Sequence, residues 1–233
     1  MSSISAFFRA VLVTAVIVLP VGGAWAATDG AVYVVSYLEL LPNAKHSGES
    51  LIRKYVKDSR TEGGGLRISA LNETDRAGKY LLIESWRDPA SLSAHESAAH
   101  TAEFRKQLEP LSRIPFDRRI YHGFDLDPMA ALPGSKLLYV VTHVDVPGVS
   151  REAAEGILQQ LAAPVRSLPG HVQFDIYQQE DPRRNHFTTL AIWRDRNAFD
   201  DYARSAPART FMDQIAPLLG ALYDERVYRS LEP

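Results

Sequence analysis

The chain contains no cysteine, so disulfides, thiolate nucleophiles and cysteine-based metal sites are all closed to it. Charge of one sign is equally scarce. There are 26 Lys and Arg against 28 Asp and Glu, a net of −2, and no basic block gathers anywhere. That removes the electrostatic footprint of nucleic-acid binding. No glycine-rich phosphate loop and no Ser–His–Asp order occurs, so nucleotide and hydrolase chemistry have no motif to rest on. Long apolar runs are lacking too, except for one at the N-terminus.

That run, residues 10–23, follows a single Arg9 and ends in Ala24-Trp25-Ala26, small residues at the two positions a signal peptidase reads. Pro20, Gly22 and Gly23 cut the clean apolar stretch below the roughly 18–20 residues of a spanning helix. We therefore read residues 1–26 as a signal peptide rather than an uncleaved anchor. The mature chain, from Ala27, is expected to be periplasmic or secreted. Without cysteine, such an exported chain depends on core packing alone.

The remainder is a duplication. Tyr33-Val34-Val35-Ser36-Tyr37-Leu38 matches Tyr139-Val140-Val141-Thr142-His143-Val144 at a shift of 106, and Gly64 meets Gly170 at the same shift. One residue is then gained. At 107, Trp86-Arg87-Asp88 meets Trp193-Arg194-Asp195, Phe104 meets Phe211, and Arg119-Ile120-Tyr121 meets Arg226-Val227-Tyr228. Ordered matches with one slip mark a tandem repeat. The units are 31–125 and 137–230, joined by a Pro, Gly and Ala-rich linker, 126–136.

Each unit reads strand, helix, strand, strand, helix, strand. β-branched and aromatic runs open each copy. In the second copy Ser150 stands as an N-cap with Glu152 in the first turn, and Ile157, Leu158, Leu161, Val165 and Leu168 recur at helical period. The order βαββαβ predicts an α+β fold, a ferredoxin-like antiparallel sheet with both helices on one face. The first strand is apolar on both sides, so the two free sheet faces are expected to bury each other as an internal pseudo-dimer. A further homo-oligomer stays open.

The strand ending Glu84-Ser85-Trp86, the helix with Leu92, His95 and His100, and the following Phe104 resemble the antibiotic biosynthesis monooxygenase (ABM) domains of the dimeric α/β-barrel superfamily. The resemblance covers nearly the whole mature chain, once per copy, and is closer in copy one. It implies a small oxygenase that needs no cofactor or metal and oxidises a phenol- or quinol-like aromatic with O2. A base takes a phenolic proton, and the electron-rich anion reacts with O2 inside an apolar pocket. In that picture His95 is the catalytic base, and Tyr37 and Trp86, with Tyr33, supply pocket wall and hydrogen-bond donors. The alternative is a non-catalytic binding or stress-response module of the same fold. The haem-degrading branch fits poorly, because the position near Arg105 lacks that branch's iron-ligating histidine.

Copy two sharpens these assignments. His143 stands where copy one has Tyr37, and Tyr202 where it has His95, so each half holds one Tyr and one His, exchanged. The expectation is a Tyr–His pair facing one cavity in each half, with Trp193 beside the second, or else a coincidence between two tolerant positions. On one continuous helix His95 and His100 sit about 140° apart, too far round to share a metal. Pro207 at the His100 position predicts instead a helix break near 97–99, with His95 closing one helix and His100 opening the next. His100, beside Glu96 and Glu103, is read as a capping residue or a substrate contact. Trp86 and Trp193 persist in both copies and suit core anchors; Asp88 suits an N-cap, and Arg119 and Arg226 suit partners for Asp117 and Asp224.

Overall fold

A computed structural model describes residues 30–129, 132 and 136–232; the proposed signal peptide and part of the linker lie outside them. The first half runs β1 (Val32–Glu39), α1 (Lys45–Ser59), β2 (Gly65–Glu73), β3 (Lys79–Trp86), α2 (Pro89–Glu96), α3 (Ala99–Leu108) and β4 (Asp117–Asp125). The second repeats it as β5 (Leu138–Asp145), α4 (Arg151–Arg166), β6 (His171–Gln179), β7 (His186–Trp193), α5 (Arg196–Ala203), α6 (Ala206–Ile215) and β8 (Asp224–Ser230). Registers repeat as well: Val32 faces Trp86 in one half and Leu138 faces Trp193 in the other. The single inserted residue is therefore absorbed between β6 and β7.

Both apolar faces of β1 are accounted for. The eight antiparallel strands close into one barrel in the order β1-β3-β2-β8-β5-β7-β6-β4. The halves are stitched by β2–β8 and β4–β6 pairing, for example Asn72 with Arg229 and His122 with Gln178. Closure leaves no sheet edge among the described strands. Tyr33, Val35, Ile83, Tyr139, Val141 and Ile192 fill the interior. Alternate residues point outward beneath the helices. Val34, Ile52, Val56, Leu82 and Trp86 form one outer core, and Val140, Leu158, Val165, Phe187 and Trp193 form the other. Trp86 and Trp193 are fully buried, as core anchors should be.

The break in the second helical region is present in both halves, at Ser97-Ala98 and Arg204-Ser205. Asp88 caps α2 by accepting from the Ser91 backbone N–H at 2.7 Å, and Asp195 does the same for α5. Ser150 occupies the N-cap position of α4 but makes no side-chain cap bond, contrary to the sequence expectation. Gly64 and Gly170 sit at φ +107° and +83°, where a Cβ would also collide with Ser91 and Ala198. That close approach seats α2 and α5 against the strand ends.

Candidate functional site

A β-strand sends successive side chains to opposite faces, and this decides where the predicted site residues go. Tyr37 faces the barrel interior and His95 rides on α2 outside it, so the expected His95–Tyr37 pair does not exist. Nor does the Tyr202–His143 pair, for the same reason. Tyr37 and His143 meet each other instead, hydroxyl to Nε2 at 2.5 Å across the two halves. His143 Nδ1 lies 3.0 Å from Thr188 Oγ1, which donates to the Tyr121 hydroxyl at 3.0 Å. Burial, then the Arg119 guanidinium, lowers the imidazole to about 4. Burial raises the Tyr37 phenol well above its usual range. The pair is therefore neutral and locks the barrel centre.

Arg67 and Gln173 are likewise equivalent positions in contact, Nη1 donating to Oε1 at 2.7 Å. Equivalent positions meet only at the pseudo-two-fold axis, so these two pairs trace it through the barrel.

Outside the barrel, half one carries a continuous polar chain. His95 is 2% exposed and stacks on Trp86 with ring centroids 4.4 Å apart. Its Nε2 lies 2.8 Å from the Tyr55 hydroxyl, which donates to Glu84 Oε1 at 2.7 Å. Glu84 Oε2 accepts from Trp86 Nε1 at 3.0 Å. On its other side His95 Nδ1 meets Glu62 Oε1 at 2.8 Å, and the same oxygen is 3.0 Å from His100 Nε2. Burial, then Glu84, pushes the Tyr55 phenol far above its normal range, so it stays a proton donor.

The helix break makes this possible. With α2 and α3 separate, as Pro207 in the second copy predicts, the two histidine rings come within 5.7 Å and share the Glu62 carboxylate. His100 is not a solvated cap beside Glu96 and Glu103. Glu96 pairs with Arg118, and Glu103 accepts from Gln107. Beside the chain is a cleft of about 70 Å³ lined by Tyr55, Asp58, His100, Glu103 and Phe104. His100 reaches it; His95 does not.

Half two lacks the whole chain. At the repeat's own shifts, Tyr55 becomes Leu161, Glu62 becomes Leu168, Glu84 becomes Ala191, His95 becomes Tyr202 and His100 becomes Pro207. Tyr202 still stacks on Trp193 at 5.1 Å, but Trp193 Nε1 has no hydrogen-bond partner. The neighbouring cavity is about 10 Å³, room for roughly one water. Tyr202 and Trp193 thus stack on each other in the outer core, while His143 is bonded to Tyr37 and Thr188 inside the barrel.

Tyr55, Glu62 and, as a site residue, Glu84 escaped the sequence reading. The signal was available, since each is polar in copy one and apolar at the matching position of copy two.

The family model described as antibiotic biosynthesis monooxygenase matches residues 31–107 and again 137–214. The Synechocystis protein sll1783 is 25% identical over 93 residues, 40% of this chain; the match spans 63% of that protein's length. "Putative monooxygenase YcnE" of Bacillus subtilis is 23% identical over 82 residues, 35% of this chain and 86% of the relative. Among solved structures, a putative monooxygenase of Fusobacterium nucleatum superposes with TM-score 0.78 at 13% identity, covering 87% of this chain and 93% of that one. An anthrone oxidase-like protein superposes at TM-score 0.66 and 13% identity, covering 87% and 92%. At these identities the structures share the fold.

Proposed function

Because the chain belongs to the antibiotic biosynthesis monooxygenase family, we propose that half one oxidises a small phenol- or quinol-like aromatic with O2 and that half two serves the fold. One observation carries this reading. Five polar residues form a connected chain in half one and are all replaced in half two, which folds in the same way without them. The scaffold therefore does not require the chain. Substrate type is supported by the cleft's aromatic lining, Tyr55 and Phe104, and by the anthrone oxidase-like neighbour.

The chemistry asks little of the protein. A base takes the phenolic proton, and the anion's ring carbon attacks O2. A ring C–H becomes C=O, the second oxygen atom leaves as water, and the four electrons come from the substrate. His100, which lines the cleft, is placed to accept the proton, with Glu62 and His95 behind it to hold and share the charge. The catalytic part given to His95 from sequence becomes a positioning part, with His100 in front.

The cleft is smaller than the roughly 300–1,000 Å³ of ordinary ligand pockets, so substrate entry requires α1 and α3 to part. That same smallness favours the second reading, a non-catalytic member of the fold. Export to the periplasm or beyond belongs to the proposal too, carried by the N-terminal run alone.

The test is O2 consumption with a panel of quinols and hydroxylated naphthalenes. His100→Ala and His95→Ala should each lower turnover by about 10²–10⁴-fold, the usual worth of a positioned base. Turnover unchanged in both, or absent from the wild type, sinks the enzymatic reading.

A further inference from the structure

We propose that Glu62, His95 and His100 bind one divalent transition-metal ion. One ligand atom from each residue lies within 4.8 Å of the others. Glu62 Oε1 is already 2.8 Å from His95 Nδ1 and 3.0 Å from His100 Nε2. The three donors come from the turn after α1, the end of α2 and the start of α3, so the packing of separate elements fixes the site. Two imidazoles and one carboxylate form a donor set suited to zinc, cobalt and ferrous iron, with bonds of about 2.0–2.2 Å. A tetrahedral ion with such bonds holds its ligand atoms about 3.3 Å apart. The two Glu62 contacts are 2.8 and 3.0 Å and the whole set lies within 4.8 Å, so rotation of these side chains would seat the ion.

The protons make the case stronger. A carboxylate only accepts, so Tyr55 must donate to Glu84. The Tyr55 oxygen is then left to accept from His95, which puts that ring's proton on Nε2. In the neutral ring Nδ1 is therefore a lone pair aimed at a carboxylate oxygen 2.8 Å away. Two lone pairs facing at 2.8 Å leave room for a proton but not for a metal ion on the line between them. An ion would displace that proton and seat beside the pair, toward His100. A carboxylate-backed partner that fixes the tautomer of a ligating histidine is the usual support behind a metal site, and here Tyr55 and Glu84 provide it. In half two the three ligands and this support vanish together, to Leu168, Tyr202, Pro207, Leu161 and Ala191. The Glu62 and His100 side chains, 19% and 23% exposed, give the ion a route from solvent.

This inference goes beyond the proposed oxygenase reaction and takes from it only the choice of half one. A bound ion would supply Lewis acidity at the point where His100 is otherwise the base.

The experiment uses the full chain, stripped with chelator and titrated with Co²⁺ by calorimetry and visible absorption. We expect one equivalent bound, with ligand-field bands of a nitrogen and oxygen site. Glu62→Gln and His100→Ala, both partly exposed and checked for folding by circular dichroism, should weaken binding about 100-fold or more. Tyr55→Phe, which keeps the ligands but removes the support, should weaken it about 10–100-fold. His186→Gln in half two should bind as the wild type does. No binding below millimolar Co²⁺, or binding indifferent to both ligand variants, overturns the site. O2 consumption on the same samples separates the two proposals. Turnover by protein that takes up no Co²⁺ removes the metal and leaves the oxygenase. Stoichiometric uptake without turnover on any quinol keeps the metal site and removes the oxygenase.

Discussion

His143 sits on the barrel axis with its imidazole held to about 4, below the roughly 6.5 of an unfolded chain. A depressed base contributes stability that is complete above pH 6.5 and is lost as pH falls toward 4. The full loss is on the order of 3 kcal/mol. Asp175, buried in the same interior and pushed up to about 6, acts with the opposite sign. Its contribution is present below about 3.9 and is lost as pH rises through 6. Between pH 4 and 6 the two slopes oppose each other, so the wild-type curve alone hides both. The denaturant-derived stability difference between wild type and His143→Gln should therefore shrink steadily from pH 7 to 4. A difference that ignores pH would contradict the neutral, buried imidazole. At pH 7, Tyr37→Phe should cost about 1–3 kcal/mol in urea unfolding, because it leaves His143 Nε2 buried without its donor. From the sequence, the exchanged Tyr and His positions were visible but their geometry was not. The alternation of β1 fixes which face Tyr37 takes, but not which face is the barrel interior. Glu62 lies in a glycine-rich turn, where periodicity carries no information, so only its contrast with Leu168 in the second copy marks it.

At the scale of elements, the most informative residue was Pro207. A proline belongs in the first turn of a helix, and it revealed a break that the copy-one segment alone does not declare. The two breaks differ in how they are capped. Ser205 Oγ accepts from the Ala208 N–H, whereas Ala98 has the same extended backbone with no side chain to accept. Ala98→Ser should raise stability by about 0.5–1 kcal/mol, read as an increased thermal midpoint. Asp88→Ala, which removes a 2.7 Å cap bond from α2, should lower stability by about 1 kcal/mol. An Ala98→Ser variant no more stable than its parent would show that the α3 terminus is already satisfied. Element order and the two outer cores follow from hydrophobic period and turn residues, so they were legible. The absent cap bond at Ser150 was not, because a residue type permits a cap without placing its oxygen.

For the whole molecule, strand closure makes each half incomplete. Separated from its partner, half one would expose β2 and β4 as unpaired edges together with the Tyr33, Val35 and Ile83 face. Expressed alone, residues 30–129 should self-associate in light scattering behind a sizing column. Co-expressed with residues 136–232, they should elute as one copy of each. A well-folded monomeric half would refute the shared-barrel account. The sequence implied that two faces must be buried together. That they join edge to edge as well depends on strand twist and stagger, which no local pattern records.

The contacts on the pseudo-two-fold axis carry a historical consequence. In a symmetric homodimer a residue on the axis can only meet its own copy. Here the axis holds Tyr37 against His143 and Arg67 against Gln173. Two copies of half one would bring Arg67 against Arg67, and two copies of half two would bring His143 against His143. Fusion of the copies thus acted as a ratchet. Once the axis was filled by unlike partners, neither half could return to pairing with itself without changes at both levels. From then on the second half was free to shed the Tyr55, Glu62, Glu84, His95 and His100 chain that the first half keeps.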